Sequence, residues 1–138
     1  MGIVYKFFSN YFMYSYRRKL NKDFDTAFFI LKEKLGKKGF GLLTQIDVQA
    51  TLKKKIGVDW DRYLILGVCN PELAYQALQK EYEVGLLLPC KMILYERKGE
   101  VYLSMILPSS AMGIVGNPAL EKLALKVQDM MQEIVDAV

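Results

Sequence analysis

At 138 residues the chain has the length of one ordinary domain, and its 52% hydrophobic and 25% charged residues make it too apolar for disorder and too charged for an integral membrane protein. Histidine is absent, which excludes Ser-His-Asp and Cys-His nucleophile pairs, histidine general bases, histidine-rich zinc sites and a proximal-histidine haem. The net charge of +4 is uneven, with 13 basic and 6 acidic side chains in residues 1–69 against 6 and 9 in residues 70–138, but runs such as Lys53, Lys54 and Lys55 read as solvated helix faces rather than an anion site.

Met1 to Tyr16 is aromatic and apolar, yet Lys6, Ser9 and Asn10 interrupt it before the ~18–20 apolar residues that a membrane span needs. It also lacks the parts of a signal peptide. The expectation is a cytoplasmic protein without a span, with residues 1–11 as an extension and residues 12–138 as a single domain. Two cysteines in such a chain make no disulfide framework.

Phe12 to Lys19 fits a strand with Phe12, Tyr14 and Tyr16 on one face. A helix follows, capped by Asn21 or Asp23, with Phe24, Ala27, Phe28, Leu31 and Leu35 at helical spacing and Gly36 placed to end it in the left-handed conformation. Gly39, Phe40 and Gly41 turn the chain into a strand over Leu42 to Ile46. Asp47 then caps a short helix, predicted to face Val48, Leu52 and Ile56 inward and to close at Gly57.

The apolar run Tyr63 to Cys69 predicts a central strand. Asn70 as cap, Pro71 at the first helical position and Glu72 in the first turn start a helix that runs to about Lys80. Lys91–Glu96 and Val101–Leu107 flank a turn and form a hairpin. Ser109 to Gly116 reads as a loop of small residues carrying Met112, and Asn117 and Pro118 open a last helix that buries Leu120, Leu123, Ala124, Val127, Met130, Met131 and Ile134. The order β-α-β-α-β-α-β-β-α predicts an α+β fold, a two-layer α/β sandwich with a mostly antiparallel sheet.

Gly39-Phe40-Gly41 with Thr44 and Asp47, then Thr51-Leu52, Ile65-Leu66-Gly67 leading into Cys69-Asn70-Pro71 with Leu73-Ala74, and Leu88-Pro89-Cys90 together resemble the domain-of-unknown-function 302 family over residues 12 to 136. The resemblance implies a compact α+β domain similar to half of the TATA-binding-protein saddle, commonly a homodimer. It implies no established activity, and a fold alone assigns none.

Cys69 ends one strand and Cys90 begins the next. If these strands are antiparallel neighbours, the two thiols fall at one edge of the sheet; if parallel, at opposite ends. The helix opening at Pro71 is expected to lower the Cys69 pKa, making Cys69 a candidate nucleophile or sulfur carrier and Cys90 its resolving partner. Both also suit small buried hydrophobic positions. Asn70, Glu72, Asp47 and Met112 are candidate ligand-binding residues.

Asp47 and Glu72 are candidate acid–base groups, although capping alone explains both positions. No metal site is assigned, because two thiolates are half a tetrahedral set and the rest would have to come from Asp47, Glu72 or a second copy. The cofactor is unknown, with Met112 the one haem ligand kept in view. Phosphate-loop and dinucleotide motifs are missing, and nucleic-acid binding through Tyr14, Tyr16, Arg17 and Arg18 is disfavoured.

The leading reading is a homodimeric small-ligand-binding module with its pocket near Cys69 and Cys90 beneath the Ser109–Gly116 loop. The alternatives are a thiol- or sulfur-transfer or redox protein using that pair, and an assembly protein without a small-molecule site.

Overall fold

Antiparallel pairing of five strands is set by period-two alternation of apolar side chains, which gives each strand one face to bury. The computed structural model describes Tyr11 and residues 13–138. Its strands are β1 (Ser15–Leu20), β2 (Gly41–Asp47), β3 (Tyr63–Cys69), β4 (Cys90–Arg97) and β5 (Glu100–Ile106), in the spatial order β1-β5-β4-β3-β2 with every neighbour antiparallel. The fold is the expected α+β class. The apolar run of β3 nevertheless lies second from the edge, and the middle strand is β4.

Helix α1 (Phe24–Lys37) begins at Asp23, whose carboxylate accepts the Thr26 N–H at 2.8 Å. It runs through Gly36. The left-handed residue is Gly39, at φ 78°, so the stop lies three residues later than the glycine pattern indicates. Helices α2 (Val48–Ile56), α3 (Pro71–Lys80), α4 (Pro108–Gly113) and α5 (Pro118–Ala137) complete the fold, with a 3₁₀ turn over Tyr82–Leu87. Lys98 and Gly99, both at positive φ, form the two-residue hairpin turn between β4 and β5.

One sheet face carries Leu64, Leu66 and Val68 of β3, Cys90, Met92 and Leu94 of β4, and Val101, Leu103 and Met105 of β5. Helices α1 and α5 cover it, burying Leu31, Leu35, Met131 and Ile134 against the strands. A second cluster joins Leu73, Ala77, Val84, Met112, Leu120, Leu123 and Ala124 of α3, the 3₁₀ turn, α4 and α5. Among the described residues, no helix covers the centre of the other sheet face. Tyr63, Tyr95 and Tyr102 stack across β3, β4 and β5 there at centroid distances of 5.4 and 5.3 Å, beside half-buried Ile65 and Ile93.

Several expectations change at the edges of the fold. Helix α2 has the predicted Asp47 cap and ends at Gly57, but buries none of its residues; Ile56 is 67% exposed, because the helix lies beside edge strand β2 rather than under the sheet. The segment read as a loop begins as α4. Phe12 lies outside the described residues, Tyr14 precedes β1 and is exposed, and Tyr16 is buried on the helix side with its hydroxyl on Asp136 at 2.6 Å. Tyr11 packs on Tyr16 and bonds Gln132 of α5. No helix among the described residues is long and apolar enough to cross a membrane.

Candidate functional site

Because β3 and β4 are antiparallel, the end of one lies beside the start of the other. Val68 pairs with Cys90, and Cys69 is the next residue along, opposite Gly41 on the other side. Both cysteines therefore line one cleft, together with Phe40, Asn70 and Met112, although strand alternation turns their side chains toward opposite faces of the sheet. The lining of the cleft is almost wholly apolar.

The space follows from small residues where two helices face each other. Ala74 and Ala77 of α3 and Ala124 of α5 line the cleft, and larger side chains at these positions would close it. Leu88 and Val127 touch both hydrophobic clusters, and both also line the cleft, so it is the seam between the two cores. Sequence periodicity marks Ala124 as inward-facing. It does not say that the two helices bring their alanines together, which is why these walls were missed.

Asn70 fixes the geometry at the mouth. Its Oδ1 accepts the Leu73 N–H at 3.2 Å, and its Nδ2 donates to the Lys38 carbonyl at 3.4 Å. A side chain at Gly39 would place its Cβ 3.3 Å from that Nδ2, and φ 78° there already disfavours one. On the open side, Gly67 admits Thr44 and Pro89, since a Cβ on it would lie 2.1 Å from Thr44 Oγ1 and 2.7 Å from Pro89 Cγ. The β-bulge at Leu43 sets Thr44 opposite Gly67.

The expected activation of Cys69 is corrected by these contacts. Asn70 takes up a donor at the start of α3, and burial raises the Cys69 pKa above the ordinary thiol value. Burial pushes Cys90 up to about 11, with the neighbouring Cys69 adding to the rise and Lys91 opposing it. Near neutral pH both groups are thiols rather than nucleophilic thiolates.

Of the other candidates, Asn70 and Met112 join the cysteines, whereas Asp47 and Glu72 do not. Asp47 accepts the Ala50 N–H at 2.9 Å and pairs in register with Leu64, five residues down β3 from Cys69 and so roughly 17 Å away. Glu72 is exposed on the first turn of α3 and does not line the cleft. The expected lid is a wall instead: the Ser109 N–H and hydroxyl both donate to Gln128 Oε1, at 3.1 and 2.6 Å, holding α4 on α5 with Met112 only 4% exposed.

The residues considered for nucleic acid divide between the sheet faces. Arg18 donates to the Val135 and Asp136 carbonyls at the end of α5, at 3.0 and 2.9 Å. Arg17 instead lies over the Tyr102 ring, 5.1 Å from its centroid. Among the described residues there is no group of three His, Cys, Asp or Glu positioned to hold a metal ion.

No curated protein matches the chain. The crystal structure of an uncharacterized conserved DUF302 protein from Bacillus stearothermophilus is similar, with a TM-score of 0.87 and 31% identity over 91% of this chain and 98% of that one. The family described as "Domain of unknown function DUF302" matches residues 16–138, which span all of the sheet but Ser15, both clusters and the cleft. The chain therefore belongs to the DUF302 family.

Proposed function

We propose that the protein is a homodimeric small-ligand-binding module whose ligand enters the cleft beside Cys69, Cys90, Asn70 and Met112. The observation that carries this reading is a nearly wholly apolar opening at the seam of two cores, walled by alanines of two helices. Asn70 supplies the polar group at its mouth. The raised thiol pKa values favour this reading over nucleophilic thiol chemistry.

The probe is indole, a neutral aromatic that matches the apolar lining of the cleft. Its addition is expected to shift the NMR methyl signals of Val68, Met112 and Val127, and Ala74→Phe, which fills the opening, is expected to abolish those shifts. Equal shifts in the variant, or shifts confined to other surfaces, would overturn the binding site.

The second copy is assigned to the uncovered sheet face, where Ile46 is 49% exposed beside half-buried Tyr63, Ile65 and Ile93. An apolar patch of this kind is stabilised by burial in an interface. Sedimentation is expected to give a dimer for the parent chain and a monomer for Ile46→Glu, and a monomeric parent chain removes this part of the reading.

The thiol-transfer reading is favoured by a single feature, the adjacency of Cys69 and Cys90. Alkylation at graded pH tests it: slow reaction of both thiols at pH 7 supports a binding role, whereas a Cys69 that reacts at thiolate rates there restores the chemical one.

A further inference from the structure

The hairpin end of the open sheet face carries a depression of a different character from the apolar cleft. Arg17 of β1, Tyr95 and Arg97 of β4, Lys98 of the hairpin turn, and Glu100 and Tyr102 of β5 line it. We infer that this corner binds a dianionic phosphate group, free or on a small monoester, through Arg17, Arg97, Lys98 and the Tyr95 hydroxyl. The site goes beyond the ligand-binding reading of the cleft. Cys90 begins β4 and Arg97 ends it, so the two places stand at opposite ends of that strand.

Strand register brings the cations together. Both β1 and β4 pair with β5, where Glu100 faces Arg97 and Tyr102 faces Tyr95 on one side and Lys19 on the other. Arg17 lies opposite Ser104, two residues on from Tyr102, and so on the same face. Its guanidinium sits over the Tyr102 ring, 5.1 Å from the centroid, and its Nη1 donates to the Tyr95 hydroxyl at 3.4 Å. Lys98 has φ 52°, so the turn carries a cation at a position where backbone preference argues for asparagine or glycine.

Charge selects the ligand. The lining sets three cations, Arg17, Arg97 and Lys98, against the single carboxylate of Glu100. That carboxylate is already engaged by Lys19 at 2.8 Å and by the Tyr102 hydroxyl, which donates to it at 3.2 Å. Among the described residues neither Arg97 nor Lys98 has an ion-pair partner. A phosphate monoester carries about −1.5 to −2 charges near neutral pH and so matches the positive excess, whereas a carboxylate carries one. Guanidinium forks fit phosphate oxygens, and the Tyr95 hydroxyl, which accepts from Arg17, keeps its own proton to donate.

The tyrosines serve as donors and supports here. Tyr95 is flanked in the stack by Tyr63 and Tyr102, and Arg17 covers Tyr102. The row therefore presents hydroxyls and ring edges rather than ring faces on which bases could stack, which separates this site from a nucleic-acid platform.

The test is an NMR titration of the purified chain at low salt and neutral pH with inorganic phosphate and, separately, with glycerol 3-phosphate, read at the backbone amides of Arg97, Lys98, Gly99 and Glu100. Saturable shifts are expected with both probes, weakening as salt is raised. Equal affinities identify free phosphate as the ligand and tighter glycerol 3-phosphate identifies a monoester; either result supports the site. Lys98→Asn removes the charge while suiting the left-handed turn, so its urea midpoint is expected to hold or rise while affinity falls about fivefold. Arg97→Gln, at an exposed position, is expected to show a similar loss of affinity, and Lys54→Gln, on α2, none.

Absence of saturable shifts, parent-like affinity in both hairpin variants, an equal loss in Lys54→Gln, or acetate bound as tightly as phosphate would each overturn the phosphate site. The indole shifts in the cleft stand or fall separately, since none of these substitutions touches that lining.

Discussion

The core beneath the sheet and the smaller cluster around α3 and α4 are assembled in different ways. The first joins residues from Tyr16 to Val138 through strand register and buries Leu66, Met92, Leu103 and Met131 completely. The second draws on helical segments, with Leu73 and Ala77 on α3, Val84 on the following turn and Leu120 to Ala124 on α5. Strand pairing fixes side chains at close, regular intervals, whereas short helices meet wherever their surfaces allow. The cleft lies where these two kinds of packing meet and alanines leave the join unfilled.

The largest expected effect comes from deleting the same side chain in each cluster. Leu66→Ala, in the fully buried sheet core, is expected to cost about 4 kcal/mol in urea unfolding, and Leu73→Ala, beside the open cleft, about 2 kcal/mol because its surroundings can collapse. Equal losses would break the distinction between a rigid core and an adaptable one.

A pH experiment reads the seam itself. Cys90 holds its proton more tightly folded than unfolded, so its contribution is undiminished below pH 9 and is lost as the pH rises toward about 11. Over that window the parent chain is expected to lose up to about 3 kcal/mol more stability than Cys90→Ala. Parallel stability curves for the two proteins would show that the thiol is not desolvated at the join.

Gly67→Ala tests the sheet side, since the added Cβ meets Thr44 and Pro89 at distances no side chain tolerates. A loss of about 1–3 kcal/mol is expected from the forced shift, and an unchanged denaturation midpoint would contradict the close approach. The smallest effect is at the helical side: Asn70→Ala removes the cap of α3 and is expected to cost about 1 kcal/mol, with faster amide exchange in the first turn of α3 and little change in β4.

Local chemistry was legible where neighbours along the chain decide it. Asp23, Asp47, Asn70 and Asn117 all cap the helices that follow them, as their short oxygen-bearing side chains indicate. The spacing of the last helix predicted its buried stripe at Leu120, Leu123, Ala124, Met131 and Ile134, whereas Val127 and Met130, expected in the same stripe, are half-buried. Asp47 and Glu72 were placed on the correct elements, but no local pattern states how far those elements stand from Cys69.

The amino-acid sequence by itself determined the α+β class, the helix starts, the hairpin and the family, because caps, turns and periodicity act over a few residues. Only the tertiary structure decided that β3 lies off centre, that α2 buries nothing, that Met112 belongs to a wall and that burial raises the pKa of both cysteines. Those outcomes depend on which distant surfaces come into contact and on the water they exclude, and burial rather than position along the chain sets the charge of Cys69 and Cys90.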